Sequence, residues 1–163
     1  MLVMLSKVRL VMAASLFVLS SVATADAEEA GQSYHEHDRH KIELGISNTH
    51  TEHGENAFTM AASYNYRFSE SASIGVLTEY AFDPLETWIL GVPLKIYPGA
   101  GWVLTAMPAA EIHDSHSEPL FRLGVGYEFE IEGTNSSLSP EFNVDWVDDE
   151  VNFVIGLSLG FGF

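Results

Sequence analysis

Apolar residues occupy every second position through eight successive segments between Lys41 and Phe163. In the last segment, VNFVIGLSLGFGF, one phase holds only Val, Phe, Ile and Leu, whereas the other phase is mostly Gly, Ser and Asn. A period of two is that of a β-strand, whose successive side chains point to opposite faces. The pattern therefore predicts strands with one apolar and one polar face, and it excludes helices as the main element.

Short polar stretches separate these segments and predict the chain topology. The stretches are HTEHGEN, SESA, DPLE, PGAG, HDSHSEP, EGTNSS and VDDE. Connections of this length join antiparallel neighbours. We therefore expect an all-β fold, an eight-stranded antiparallel up-and-down β-barrel, because closure removes unpaired edges. Pro93, Pro108 and Pro140 fall inside segments and each forfeits a ladder hydrogen bond, so a bulge or irregular pairing is expected at each.

The region before the alternation divides into two segments. Lys7 and Arg9 precede an apolar run that ends in small residues with two A-x-A sites, which predicts a secretory signal peptide over residues 1–27. The run is shorter than the ~20 apolar residues of a spanning helix. Residues 28–40 are polar and lack periodicity, which indicates a flexible, acidic and His-rich periplasmic leader. Residues 41–163 are assigned to the barrel.

Composition excludes several classes of function. The chain has 23 acidic and 7 basic residues, which argues against nucleic-acid binding because that needs basic patches. It has no cysteine, so neither disulfides nor thiolate metal sites contribute.

The aromatic residues indicate which face points outward. If the first strand runs upward from the periplasm, the rings gather near both ends of the segments and the middles are aliphatic. The upper rings are Phe58, Tyr80, Phe82, Trp88, Phe121, Trp146 and Phe153. The lower rings are Tyr66, Phe68, Trp102, Tyr127, Phe129, Phe161 and Phe163. Two aromatic girdles around an aliphatic band match the two interfaces of a membrane, so the apolar face is predicted to contact lipid.

The opposite face carries charges, which we expect to line the lumen because a basic residue facing the bilayer midplane costs roughly 2–4 kcal/mol. They are Glu43, Arg67, Glu79, Lys95, Glu111, Arg122, Glu128, Glu130, Glu141 and Asp145. Buried charges need partners. Reflecting strands across their hairpins predicts an upper ion-pair layer of Arg122 with Glu111 and Asp145. It predicts a lower layer in which Arg67 lies near Glu43 and Lys95 contributes. The surplus carboxylates would be hydrated, protonated or neutralised by a cation.

The final strand, with Leu159, Phe161 and the last residue Phe163 in one phase, resembles the assembly signal of bacterial outer-membrane barrels. Together with the signal peptide and eight strands, residues 41–163 resemble the small barrels of the outer-membrane protein X and outer-membrane protein A transmembrane-domain class. The resemblance implies a bacterial outer-membrane location. It also implies outer-membrane lipid, lipopolysaccharide and the barrel assembly machinery as partners.

Several functions remain open, since a fold does not fix a function. The first is a non-enzymatic barrel with a structural or interaction role and a narrow, charge-filled lumen without a large pore. The second is a narrow cation-selective channel that uses the lumen acids as ligands.

The third alternative is divalent-metal binding at the extracellular rim, in which case the metal ion would be the only cofactor. Imidazole and carboxylate side chains suit zinc, nickel or copper. The candidate ligands are His50, Glu52, His53, His113, Asp114 and His116. The fourth is a lipid A-modifying enzyme, because the HDSHSEP stretch offers the residue types of a His–Ser–acid set. That stretch does not match the motifs of such enzymes, and no catalytic residue is assigned.

Overall fold

The computed structural model describes residues 39–113 and 116–163, which form a closed all-β barrel. The strands are β1 (His40–His50), β2 (Asn56–Ser69), β3 (Ala72–Ala81), β4 (Thr87–Gly91), β5 (Leu94–Gly99), β6 (Trp102–His113), β7 (His116–Tyr127), β8 (Phe129–Ile131), β9 (Ser136–Val147) and β10 (Glu150–Gly162). None of the described residues forms a helix long and apolar enough to cross a bilayer. The predicted signal peptide and most of the predicted leader lie outside the described residues.

The ten segments make eight strands, as the sequence predicts. β4 and β5 are one strand, because both pair with β3 and β6 in an unchanged register. The interruption between them falls at Pro93, which has no N–H to donate. β7 and β8 are likewise one strand along β9, with Gly126 opposite Glu141 and Phe129 opposite Leu138.

Each strand is antiparallel to its neighbours, and the last strand closes the ring against the first. β1 pairs with β10 from Lys41 opposite Gly162 to His50 opposite Phe153. The end that carries the turns at residues 51–55, 82–86 and 148–149 is the upper end of the barrel, and the end with His40 and Phe163 is the lower. Within the described residues, each of the eight strands pairs with two neighbours, although the short β8 segment itself pairs only with β9.

The irregular pairing expected at the prolines is found on one side of each strand. β6 leaves Pro108 out of its pairing with β4 and β5, and β9 leaves Pro140 out of its pairing with β7 and β8. On their other sides, Pro108 lies opposite Phe121 and Pro140 opposite Leu157, in ladders without a register shift. A strand proline removes only one donor, and the Pro108 carbonyl still accepts from the Val92 N–H at 3.0 Å. The register shifts lie elsewhere, between Arg67 and Ser69 and between Ile96 and Gly99.

The aromatic residues lie on the outside, near the two ends. Trp88 and Trp102 each expose 50% of their surface in the isolated chain, which excludes a sealed aromatic core. At the upper end Tyr80 contacts Phe82 and Trp88, with ring centroids 4.9 and 4.8 Å apart. At the lower end Tyr127 contacts Trp102 and Phe129 at 5.3 and 4.6 Å. These pairs lie where two membrane interfaces would meet the barrel.

The interior is narrow, and glycines make room for larger inward side chains. Gly75 lies opposite Asn65, and Gly124 lies opposite Asn143. A Cβ added to Gly75 would lie 2.3 Å from the Tyr64 carbonyl oxygen and 2.4 Å from Asn65 Oδ1. Small residues on the polar face therefore fix how closely the side chains of neighbouring strands can pack.

Candidate functional site

The most connected group inside the barrel is the Arg122 guanidinium. Its Nε and Nη2 donate to the Asp145 carboxylate at 2.6 and 2.7 Å. Its Nη1 and Nη2 donate to the Glu79 carboxylate at 2.7 and 3.2 Å. All three residues are at most 4% exposed. Because Arg122 lies on β7 and Glu79 on β3, the ion pair crosses the lumen and joins strands that are not neighbours.

The predicted partner of Arg122 was partly wrong, since Glu79 takes the position expected for Glu111. β6 and β7 continue as strands to His113 opposite His116, so most of the polar HDSHSEP stretch is strand rather than loop. Arg122 lies opposite Met107, while Glu111 lies opposite Glu118.

A second group surrounds the Glu43 carboxylate, in the lower half of the barrel. Lys95 forms a salt bridge with it, and the Lys41 ammonium lies 3.4 Å away. Ser63 Oγ and Asn65 Nδ2 also donate to Glu43, at 3.0 and 2.9 Å. This carboxylate thus has two cations and two neutral donors, which is what a buried charge requires.

Lys41 is a member of this group that the sequence reasoning missed. Its ammonium bridges Glu43 and Glu128, with 2.5 Å between Nζ and the Glu128 carboxylate. The signal was available, because Lys41 is in phase with Glu43 on β1. Glu141, also on the inner face, accepts a hydrogen bond from Ser158 Oγ at 2.8 Å.

Two predicted members of the charge network lie elsewhere. The Arg67 guanidinium lies over the Tyr97 ring, 3.9 Å from its centroid, and Arg67 is bonded through its N–H to the Arg39 carbonyl at the lower end. Among the described contacts, those of Arg67 are with Tyr97 and Arg39 and not with Glu43. Glu130 is exposed in β8, where the strand continues into the lower hairpin, so it is not one of the buried charges.

An apolar cluster adjoins the Arg122 group, and the sequence reasoning also missed it. Ile89, Met107, Leu120 and Val147 form a buried cluster. Leu120 and Val147 each lie two residues nearer the upper end than Arg122 and Asp145. These two residues therefore pack on the upper side of the ion pairs.

Little empty space is left between the two charged groups. The cavity between them has a volume of about 60 Å³, and both Arg122 and Lys95 line it. This space has room for a few water molecules, since about 10–15 Å³ of such space is enough to hold one.

The candidate metal ligands lie at the upper end. His50 Nδ1 is 3.0 Å from Asn56 Oδ1, and His53 Nδ1 is 3.6 Å from Glu150. His113 Nδ1 is 3.3 Å from Thr87 Oγ1, and His116 lies opposite His113. Glu52 accepts from the Val151 N–H at 3.4 Å, whereas Asp114 lies outside the described residues.

Within residues 39–113 and 116–163 no three His, Asp or Glu side chains are grouped as they would be around a metal ion. The metal site therefore stays a prediction. The same holds for the lipid A-modifying activity, because Ser115 is among the residues that are not described.

The sequence matches no protein-family model and no curated protein. Solved structures match along most of the chain. The N-terminal β-barrel domain of Pseudomonas aeruginosa OprF has a TM-score of 0.59 and 13% identity, and the match covers 76% of this chain and 97% of that one. Ail, the attachment invasion locus protein of Yersinia pestis, has a TM-score of 0.51 and 13% identity, covering 76% and 96%. A de novo designed transmembrane β-barrel has a TM-score of 0.52 and 12% identity, covering 74% and 94%.

This chain has the fold of the small eight-stranded outer-membrane β-barrels. At these identities the likeness shows the fold, and it carries no ligand or activity with it. The lipid-facing belt of this outer-membrane barrel, with aromatic rings at both ends, agrees with a location in the bacterial outer membrane.

Proposed function

We propose that the chain is a structural or interaction barrel of the outer membrane whose lumen is closed by charged and apolar side chains. The observation that carries the proposal is the Arg122 ion pair, which crosses the lumen from β7 to Glu79 on β3. The proposal includes no catalytic step.

The energetics of these pairs support a closed lumen. Removing one partner of a buried ion pair costs roughly 3–5 kcal/mol, so the Arg122 group opens rarely. The apolar cluster of Ile89, Met107, Leu120 and Val147 adjoins this group and has no polar side chain that could replace water around a passing ion. Solutes much larger than water therefore have no path through the resting barrel.

We expect the purified barrel to be electrically silent in a planar bilayer, because both the ion pairs and the apolar cluster block the lumen. Single-channel recording at about 1 M salt, where surface charge is screened, measures this. A Glu118→Gln variant is the matched control, since it changes a charge at the upper end outside the buried groups. Steady, cation-selective openings in the wild-type protein would instead support the narrow-channel alternative.

We further propose that the seam between β1 and β10 is the surface that the barrel assembly machinery reads. Phe161 and Phe163 lie at the lower end of this seam, where Phe163 exchanges backbone hydrogen bonds with His40. The His40 and Phe163 rings stack with centroids 5.8 Å apart.

Replacing Phe161 and Phe163 with alanine is expected to lower the amount of folded barrel in the outer membrane severalfold. The cause would be loss of recognition together with loss of the His40–Phe163 ring contact, worth about 0.5–1.5 kcal/mol. Fractionation followed by a heat-modifiability gel measures the folded amount. Phe129→Ala, another exposed lower ring outside the seam, is the control. Equal losses in both variants would assign the effect to the aromatic girdle instead.

A further inference from the structure

The lipid-facing surface has an apolar groove on one side, over strands β1 to β6. Its volume is about 830 Å³, and its lining contains no ionised side chain. Ala62 on β2 and Thr78 on β3 are paired neighbours at its floor. The exposed fraction of the larger residues around it, such as Val76 at 59%, means that nothing in the described chain covers it.

The groove follows from two short neighbouring side chains, Ala62 and Thr78, that lie among longer ones; Leu44 and Leu90 are the next residues of their row. On the upper side of the Ala62–Thr78 pair, Met60 lies opposite Tyr80. On the lower side, Tyr64 lies opposite Val76. Because neighbouring outward side chains on a strand are two residues apart, the taller residues form walls on both sides of the floor.

The groove runs mainly across the strands, around the barrel wall. Its lining includes Ile42, two residues above His40 at the lower end of β1, and reaches Pro108 in the middle of β6. It crosses β1, β2, β3, β4 and β6, so at about 4.8 Å between strands it is roughly 19 Å long in that direction. Because the strands of a barrel are tilted, an acyl chain in the groove would rise obliquely from the lower interface.

The polar groups next to the lower end suit a phosphate. The Tyr64 ring lines the groove, and its hydroxyl is 2.6 Å from His40 Nδ1. Arg39 precedes His40 at the same rim and is exposed. A headgroup whose chain enters beside Tyr64 would therefore meet an imidazole and a guanidinium, and arginine is a preferred partner of phosphate oxygens.

We propose that this groove holds one acyl chain of an anionic glycerophospholipid, with its phosphate at Arg39 and His40. The proposal rests on the proposed function only in requiring a membrane-embedded barrel. The groove is continuous with the lipid-facing belt and lies between the two aromatic girdles, so lipid is the partner present there. A chain seated in it restores the dispersion contacts that the short Ala62 and Thr78 side chains leave unmade.

Native mass spectrometry of the barrel, released from vesicles of phosphatidylglycerol and phosphatidylcholine into a mild detergent, tests the proposal. We expect the wild-type protein to retain one lipid, mainly phosphatidylglycerol. Ala62→Phe fills the groove and should reduce the lipid-bound fraction about tenfold, equivalent to 1.4 kcal/mol of binding free energy. Val125→Phe adds the same ring to the lipid face of β7, outside the groove, and should retain lipid like the wild type. Arg39→Gln should remove the preference for the anionic lipid.

Each contrary outcome is distinct. Equal lipid retention by Ala62→Phe, Val125→Phe and wild type overturns the groove site, as does a wild-type spectrum without bound lipid. A dimer mass that Ala62→Phe abolishes overturns it in favour of a second copy of the chain. A heat-modifiability gel on the same samples reports whether the barrel itself is folded, so failure of the lipid site and failure of the membrane-barrel assignment are separated. Ala62→Leu replaces Ala62→Phe if the latter does not fold.

Discussion

Replacing Arg122 with leucine is expected to destabilise the folded barrel by roughly 3–5 kcal/mol, the largest effect of any single substitution considered. The variant leaves the Glu79 and Asp145 carboxylates buried, each at 2% exposure, without the guanidinium that donates four hydrogen bonds to them. Reversible urea unfolding in phospholipid vesicles measures the free energy of unfolding.

Two controls separate the loss of the ion pair from a general effect of substitution. Combining Arg122→Leu with Glu79→Gln and Asp145→Asn removes the uncompensated charges and should recover much of the lost stability, because neutral amides cost less to bury than carboxylates. Glu111→Gln, which touches a half-buried carboxylate outside the pair, should change stability by less than about 1 kcal/mol. A loss below about 1 kcal/mol for Arg122→Leu itself would mean that water replaces the guanidinium, contrary to a closed lumen.

Replacing Gly75 with alanine is expected to destabilise the barrel by roughly 1–3 kcal/mol, through overpacking of the interior. The added Cβ would meet the Tyr64 carbonyl oxygen at 2.3 Å, and a backbone atom held in a strand ladder cannot move aside. Gly45→Ala is the matched control, because Gly45 also lies in a strand but its nearest atom to a new Cβ is the Ala61 Cβ at 3.7 Å, an ordinary contact.

The same urea titration compares the two glycine variants. Gly45→Ala should stay within about 0.5 kcal/mol of the wild type, or gain slightly from a less flexible unfolded chain. Similar free energies of unfolding for both variants would show that β2 and β3 separate enough to admit a methyl group. The packing of glycine against Asn65 would then not limit the width of the barrel.

The strand number and the outward face could be predicted from the sequence because each depends on local order. Alternation decides which residues share a face, and short polar stretches decide which strands are neighbours. The rim positions of Trp88, Trp102 and Tyr127 follow from the same pattern, since an aromatic residue near a turn lies near an interface.

The pairing of charges could not be predicted as well, because it depends on distances across the lumen. To predict which residues of two strands in a hairpin are paired, the centre of the turn must be known. Polar residues such as His116 and Glu118 made the start of β7 resemble a loop, so the predicted centre was wrong. Even a correct reflection finds only adjacent strands. Glu79 reaches Arg122 from a strand that is not adjacent, and the stagger of strands in a closed barrel determines that contact.

The apolar cluster around Met107 was missed for a related reason. Only charged residues were assigned a role on the inner face. Ile89, Leu120 and Val147 are single inward residues on three different strands. Each is unremarkable in its own segment. They become a cluster only when the register brings them to one level.

The pairing of β1 with β10 over ten residue pairs gives the described strands a cyclic order. Every strand then has two partners, and no position in the ring is a natural first or last place. The strand pairings are therefore the same whichever turn is opened. Only the order of the strands along the chain depends on where the chain begins. A circularly permuted chain that kept the same cyclic order would close into the same wall.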